Sequence, residues 1–425
     1  MTSRILHPTA AMISDVHVGD PENARLEDFD RDEAFAHLLD AELPARAGSR
    51  PTTLVIAGDF IDFPQILPEL GKACSVERLG TTEEESLARI RRAILGHPRV
   101  FRALADFLAR GNQVLVLPGN HDIDLHFPKV FGALREACGG APAPALEFVS
   151  EGKIEQNGVY LEHGNQYSYD NWFEHWGDPI RTAPDGARRI ERPWGTLFMD
   201  IVYNDIEDAY PFVNKLYPHD ALARVVLRLM CDDTRISVRA LARLAAFFVT
   251  RGKRAIAGWA LGEEDEDGGP VTRTAIESFV DTFDSGMAND RRRALIEETA
   301  AITGASEAPE ADDVLPPDIG GRIGLLGRTD ERGLDRRARE LLRSGKRSVV
   351  AFGHTHAPFA RSVDLPGRVG WIINTGSWIP RIELGAGEAP SFAELAVAPR
   401  SHDLRYLWLQ LEGSPRASLE PLTSR

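Results

Sequence analysis

The sequence predicts a layered α/β fold carrying a long helical insertion. Short apolar runs alternate with helical stretches over roughly the first 170 residues, the pattern of strands joined by helices. The strand pattern then lapses and returns only at Ser348–Phe352. Several of these apolar runs end at or near Asp, Asn or His. Loops beyond the C-terminal ends of strands converge on one edge of such a fold, and a strand fixes its last side chains firmly.

In chain order, Ala11–Ile13 is apolar and leads to Asp15, and Leu54–Ala57 leads to Gly58-Asp59. Thr82 stands where it can cap a helix running towards Leu95, with Glu85 completing a capping box. Val100–Arg110 keeps a helical period, and Gly111 takes the place of a helix C-terminal glycine. Val114–Leu117 and Val159–Leu161 are the next strands. Beyond about Asp170 the period changes. Residues 195–300 read mostly as helix, from Leu222, Val225, Val226 and Leu229 and from Leu241, Leu244, Ala245 and Phe248. Residues 262–269 and 306–321 are acidic and loop-like. Gly370–Ile373 is a further strand, and Leu404–Leu411 alternates weakly as a final one. The expected division is a core of residues 1–175 and 346–425 and an insertion, 176–345, too long to be a loop and expected to form a cap.

The formal charge of −15 argues against broad affinity for nucleic acid or anionic membrane, leaving local basic grooves and peripheral membrane contact open. Cys74, Cys138 and Cys231 are odd in number and show no zinc spacing, as expected of buried thiols in a reducing compartment. Met1–Pro8 has no apolar core of signal-peptide length. The longest apolar stretches, such as Leu241–Val249, fall short of the about 20 residues a membrane helix needs. A cytoplasmic protein is expected.

Five segments carry the chemistry: Ser14-Asp15-Val16-His17, Gly58-Asp59-Phe60-Ile61-Asp62, Gly119-Asn120-His121-Asp122, His163-Gly164 and Gly353-His354-Thr355-His356. Asp15 and His17 are two apart and share one face of an extended segment. Asp59 could bridge two ions, Asn120 offers a neutral amide oxygen, and His354 and His356 could face one way across a turn. His121 is a candidate ligand or catalytic side chain. Together the donors suffice for two divalent metal ions, a device for hydrolysing phosphate esters. A sulfur-free set of Asp, Asn and His suits Mn²⁺, Fe²⁺ or Zn²⁺ better than Ca²⁺ or Cu⁺, and Mn²⁺ is the expected ion.

These segments resemble the signature of the calcineurin-like metallophosphoesterases, over roughly residues 9–170 and 345–380. The resemblance implies a four-layer αββα sandwich of two mixed sheets flanked by helices, with the metals at the sheets' edge. It implies that Asp15, His17, Asp59 and His356 hold one ion, and Asp59, Asn120, His163 and His354 the other, with Asp59 bridging. His121 matches the catalytic histidine beside the leaving group, and Asp62 the carboxylate that orients it. Ile13–Gly19, Gly353–Pro358 and Asn374–Trp378 are most similar to the branch of UDP-diacylglucosamine pyrophosphohydrolases. Those enzymes are shorter and typically carry Arg where this chain has His121. Family phosphatases, phosphodiesterases and repair nucleases carry His there.

Substrate signals are weaker. Asn165, after His163-Gly164, could touch a phosphate or stabilise a turn. Arg188 and Arg189, with Arg181 and Arg192, could grip a second phosphate or lie solvated on the surface. The expected function is hydrolysis of a phosphate ester or pyrophosphate bond in a small-molecule or nucleotide-type substrate. A manganese-dependent nuclease is the alternative, opposed by the acidic balance and the lack of a basic, aromatic-studded stretch. A non-catalytic scaffold around a relict site is opposed by the full set of ligands.

Overall fold

The computed structural model describes residues 6–48, 50–66, 79–168, 171–199, 203–217, 271–282, 287–305, 319–384 and 390–422, with isolated positions between 238 and 249. Contacts divide the chain into two units. One comprises Met1–Ile201, Thr329–Arg381 and Arg400–Arg425, the other Val202–Arg328 and Ile382–Pro399.

The strands, in chain order, begin with β1 (Thr9–Ile13), β2 (Thr52–Ala57), β3 (Leu79–Thr82), β4 (Gln113–Leu117) and β5 (Leu146–Phe148). Then come β6 (Lys153–Gln156), β7 (Val159–Glu162), β8 (Ile180–Thr182), β9 (Arg188–Glu191) and β10 (Leu216–Tyr217). The chain closes with β11 (Val349–Phe352), β12 (Phe359–Leu365), β13 (Arg368–Asn374), β14 (Ile382–Glu383), β15 (Arg405–Gln410) and β16 (Arg416–Pro421). In the first unit, a six-stranded sheet runs β16-β15-β1-β2-β4-β5, and a five-stranded sheet runs β12-β13-β11-β7-β6. Both are mixed. β1, β2, β4 and β5 are parallel, with β15 antiparallel to β1. β7, β11 and β13 are parallel, between antiparallel β6 and β12.

Side-chain alternation builds the layers. Ala10, Met12, Val55, Ala57, Leu115 and Leu117 of the first sheet share one buried cluster with Val159, Leu161, Val349, Ala351 and Ile373 of the second. The intervening residues Ala11, Ile13, Leu54, Ile56, Val114 and Val116 face the other way, into a cluster with helical residues. Those helices are α1 (Asp32–His37), α2 (Leu43–Ala47), α3 (Glu83–Gly96), α4 (Pro98–Ala109) and α5 (Pro128–Ala137). Phe35, Leu43, Ile90, Leu104 and Val130 are among their contributions. On the far side, Tyr160, Val350, Phe352 and Ile372 meet Leu334, Ala338, Leu341 and Leu342 of the helix Ile319–Arg343. Helix, sheet, sheet and helix follow one another, the αββα sandwich that the resemblance implied. Strands covered on both faces are apolar almost throughout, which is why β1, β2 and β4 are buried along their whole length.

Local expectations hold at α3, where Thr82 and Glu85 form the reciprocal capping box, and at Gly111, whose φ of +82° follows α4. Others shift. Leu404–Leu411 is not the final strand: β15 turns back through Gly413 (φ +71°) into β16, an antiparallel partner too polar to read as a strand. The first unit runs past residue 175, because β9 pairs with β3 and β8 with β9, and Arg192 buries its guanidinium against Asp124 at 2.8 Å.

In the second unit, helices span Arg273–Thr282 and Asn289–Thr303, β10 pairs with β14, and Tyr210 stacks on Phe392 at 4.2 Å. Leu241 and Ala245 are helical and buried. Leu222, Val225, Val226, Leu229, Leu244 and Phe248, with residues 262–269 and 306–318, lie outside the described residues. Residues 319–321, read as loop, instead open the helix Ile319–Arg343, just past Pro316-Pro317. Among the described residues no helix is long and apolar enough to cross a membrane.

Candidate metal centre

The candidate ligands stand just beyond strand ends: Asp15 and His17 after β1, Asp59 after β2, Asn120 after β4, His163 after β7, and His354 and His356 after β11. Five of them hold left-handed backbone, with φ of +52° at Asp15, +56° at His17, +52° at Asp59, +70° at His354 and +56° at His356. Such φ values are uncommon for residues with a Cβ and cost about 1–3 kcal/mol each. Neighbouring loops hold them in place. Asp15 N donates to Gly58 O at 3.1 Å, His17 N to Asp59 O at 2.9 Å, and Gly353 N to His163 O at 3.0 Å. The close approach needs glycine at two points. A Cβ on Gly58 would lie 2.5 Å from the His163 ring, and one on Gly119 would overlap Asp59 Oδ1.

Donor atoms converge as the ligands of an ion must. Three groups, Asp15/His17/His356, His17/Asp59/His121 and Asp59/His163/His354, each present one atom per residue within 4.8 Å of the others. His17 Nε2 is 3.2 Å from His356 Nε2, and His356 Nε2 is 3.3 Å from Asp15 Oδ1. His163 Nε2 is 3.2 Å from both Asn120 Oδ1 and Asp59 Oδ2, and that same Asp59 oxygen is 3.9 Å from His17 Nε2. Ligands about 2.0–2.2 Å from one ion lie about 3–3.5 Å apart, so the spacing fits. The second ring nitrogens are fixed from outside. His163 Nδ1 donates to Ala57 O at 2.9 Å, and His17 Nδ1 to Asp62 Oδ2 at 2.8 Å, which aims each Nε2 inward. The residues present therefore fit divalent ions.

Protonation is set by burial against charge. Burial opposes a proton on His17, but its hydrogen bond to Asp62 and the charges of Asp62, Asp59 and Asp15 lift its pKa to about 10. Burial likewise opposes a proton on His163, yet Asp59 and Asp15 raise it to about 9. Burial, reinforced by His163, pushes His354 down to about 3, and burial lowers His356 as well. Burial alone would raise Asp59 and Asp62; the surrounding histidines instead hold both carboxyls well below their usual range.

His121 sits at the rim of the cluster, its ring edge-on to His17 with centroids 4.7 Å apart. Its Nδ1 donates to Asp62 Oδ1 at 2.8 Å and its backbone N to Asp59 Oδ1 at 2.9 Å. Against burial, the charges of Asp62 and Asp59 raise its pKa. Asp62 thus grips two histidines, where the sequence suggested one.

The candidate substrate residues are placed differently. Asn165 is buried, and its Nδ2 donates to Asn171 O at 2.9 Å, closing a turn. Arg188 is exposed on β9. Arg189 donates to Gly80 O at 3.1 Å and pairs with Glu85 and Asp185. None of the described contacts of Arg188 or Arg189 is with the metal-ligand cluster.

Sequence reasoning passed over three supports. Asp122 accepts from Phe60 N at 2.7 Å and Gly119 N at 2.6 Å, tying two ligand loops together, and burial with the nearby Asp59 pushes its pKa up to about 7. Ser14 donates to the Asp15 carboxylate, and Ser377 Oγ to Asp15 O at 3.0 Å. Asn374 Nδ2 donates to Gly353 O at 2.6 Å, bracing the His354–His356 loop. The adjacency of Asp122 to Asn120-His121 was the available signal. Ser377 and Asn374 act on residues more than 20 positions away, which no local spacing reveals.

A fold of two facing mixed sheets with Asp, Asn and His converging past their strand ends defines a metallophosphoesterase-type sandwich. The calcineurin-like phosphoesterase family model matches residues 8–210, the part of the chain that carries most of the candidate ligands. A search of curated proteins finds no significant match to the chain. The family match, with the Asp and His groups that fit a metal site, supports a metal-dependent phosphoesterase in general.

Proposed function

We propose that the chain hydrolyses a phosphate ester or phosphoanhydride bond of a small-molecule or nucleotide-type substrate at a binuclear centre. Asp15, His17, Asp59 and His356 would hold one ion, and Asp59, Asn120, His163 and His354 the other. The position of Asp59 carries this proposal, since its Oδ2 faces His163 Nε2 at 3.2 Å and His17 Nε2 at 3.9 Å, one from each ligand group. Divalent ions, when bound, supply Lewis acidity to phosphoryl oxygens and bring the pKa of a water towards neutrality. The sulfur-free donors favour Mn²⁺, with Fe²⁺ or Zn²⁺ as substitutes.

The chain's own part is proton placement. Asp62 fixes Nδ1 of His121 as a donor, leaving Nε2 to face a substrate. The charges of Asp62 and Asp59 raise the pKa of that ring and so favour the protonated form, whose Nε2 can donate to the departing oxygen. Asp122 keeps the loops of Asp59 and Asn120 in register while this happens. The stretch Val202–Arg328, outside the first unit, would select the substrate, because function varies through elements grafted on a shared core.

The test is a screen of the Mn²⁺-loaded protein against phosphomonoesters, phosphodiesters, nucleoside diphosphate conjugates and single-stranded DNA. Turnover of a small phosphate compound, lost on chelation and restored by Mn²⁺, is expected. Cleavage of DNA alone would overturn the small-substrate assignment, and no turnover with Mn²⁺, Fe²⁺ or Zn²⁺ would overturn the catalytic one.

A further inference from the structure

A cavity of about 570 Å³ lies between the helix Ile319–Arg343 and the outer face of the second sheet. Arg332, Arg336, Arg339 and Arg343 line one wall, and Arg361 of β12 lines another. The four helical arginines are spaced four, three and four residues apart, so they form one stripe along the helix. The carboxylates here are fewer: Glu331, Asp335 and Glu340. Asp335 is taken by Arg339 at 2.9 Å and by Arg361, and Glu340 by Arg337 at 3.4 Å. Arg332, Arg336 and Arg343 are exposed and have no carboxylate partner among the described residues.

Arg339 serves the helix through its ion pair with Asp335, whereas Arg332 and Arg336, four apart and without a carboxylate partner among the described residues, repel each other. The stripe stands out further in a chain whose formal charge is −15. Guanidinium groups are the side chains best suited to grip the oxygens of phosphate or sulfonate. Beneath them the lining is apolar, with Phe352, Phe359 and Ile372. Thr355 and Asn374 also line the cavity. Thr355 stands between His354 and His356, and Asn374 Nδ2 donates to its Oγ1 at 3.0 Å.

We propose that this cavity is a binding site for an amphiphilic anion. Its phosphate or sulfonate group is held by Arg336 and Arg343, and its apolar body lies on Phe352, Phe359 and Ile372. The occupant abuts the loop that carries two candidate metal ligands. Two sources share this chemistry: a distal group of the substrate itself, or a separate effector. Only that last distinction rests on the phosphoesterase assignment.

The probe is 1-anilinonaphthalene-8-sulfonate, an aryl sulfonate whose fluorescence rises on binding, titrated into the full Mn²⁺-loaded chain. Saturable binding that weakens with added salt is expected. The double variant Arg336→Glu/Arg343→Glu alters exposed side chains only, and it should bind about tenfold or more weakly, the equivalent of about 1.4 kcal/mol. The single exchange Arg336→Lys should retain much of the affinity. Circular dichroism of each variant controls for folding. Affinity unchanged by charge reversal, or indifferent to salt, overturns the site whatever the enzyme does. A second arm follows bis(p-nitrophenyl) phosphate hydrolysis with the probe at saturation. An altered kcat or KM assigns the site to an effector. Unaltered turnover assigns it to the distal part of a larger substrate. In that case the double variant should raise KM for an acylated or aryl diphosphate while sparing the small diester.

Discussion

Asp62 stands 2.8 Å from Nδ1 of His121 through one carboxylate oxygen, while its other oxygen holds Nδ1 of His17 at the same distance. One carboxylate therefore orients a candidate metal ligand and the candidate proton donor together. The two rings, edge to face at 4.7 Å, cannot turn independently while Asp62 is in place.

Asp62→Asn removes the charge that raises His121. The substitution should cost about 10–100-fold in rate, the usual effect of losing a partner behind a metal ligand. It should also move the pH profile. Asp62 lifts the pKa of His121, so its loss lets that pKa fall, and the protonated ring is depleted at lower pH. The alkaline limb of kcat should shift to lower pH. A reduced rate with an unmoved alkaline limb would mean that Asp62 serves the metal side alone.

His121→Ala should keep its metal content, because the remaining donors of both ligand groups stay in place. The rate should fall by about 10²–10⁴, the range for a lost general acid. The fall should shrink for a p-nitrophenolate leaving group, which needs no proton. Elemental analysis and a leaving-group series check both points, and an equal loss across the series would assign His121 to charge stabilisation instead.

Asp59→Asn should release at least one ion and abolish nearly all turnover, since Asp59 Oδ2 is the atom that both ligand groups approach. An amide replaces that charged oxygen with a neutral donor or acceptor, and the bridge fails. Two tightly held ions in the variant, measured by elemental analysis after dialysis, would contradict the shared-ligand geometry.

Much of the centre was legible because strands end abruptly. Asp15, Asp59, Asn120, His163 and His354 each follow an apolar run closely, and a strand end projects its side chains predictably. What stayed hidden depends on other segments. The left-handed φ value at His17 goes with a cross-loop hydrogen bond from its backbone N to Asp59 O, not with residue type. The second duty of Asp62 joins residues 45 positions apart. Arg192 reads in the sequence as one more cation, yet it is buried against Asp124, itself adjacent to the Asn120–Asp122 segment. The arginine stripe has no apolar period to mark it, and the loop-like composition before Ile319 masks the helix that carries it.

His97 supplies a pH test away from the metals. Its Nδ1 meets Asp32 at 3.0 Å and its Nε2 meets Glu27 at 3.3 Å, with the ring nearly buried against Phe29. Burial opposes its charge, but the hydrogen bonds to Asp32 and Glu27 outweigh it and raise the pKa to about 9. A folded pKa above the unfolded value of about 6.5 gives stabilisation that is complete below about pH 6.5 and is lost as pH rises through about 9. Glu27 works against part of this gain, because burial outweighs His97 and pushes its carboxyl up. The net effect is therefore smaller than the His97 shift alone would give. With metal saturating, so that the ligand histidines carry no proton, Tm should fall between pH 6.5 and 9, by about 2–4 °C for each kcal/mol lost. His97→Gln should lower Tm at pH 6.5 and flatten that decline. A variant whose Tm falls as steeply as the parent's over the same range would show that His97 is not the group responsible.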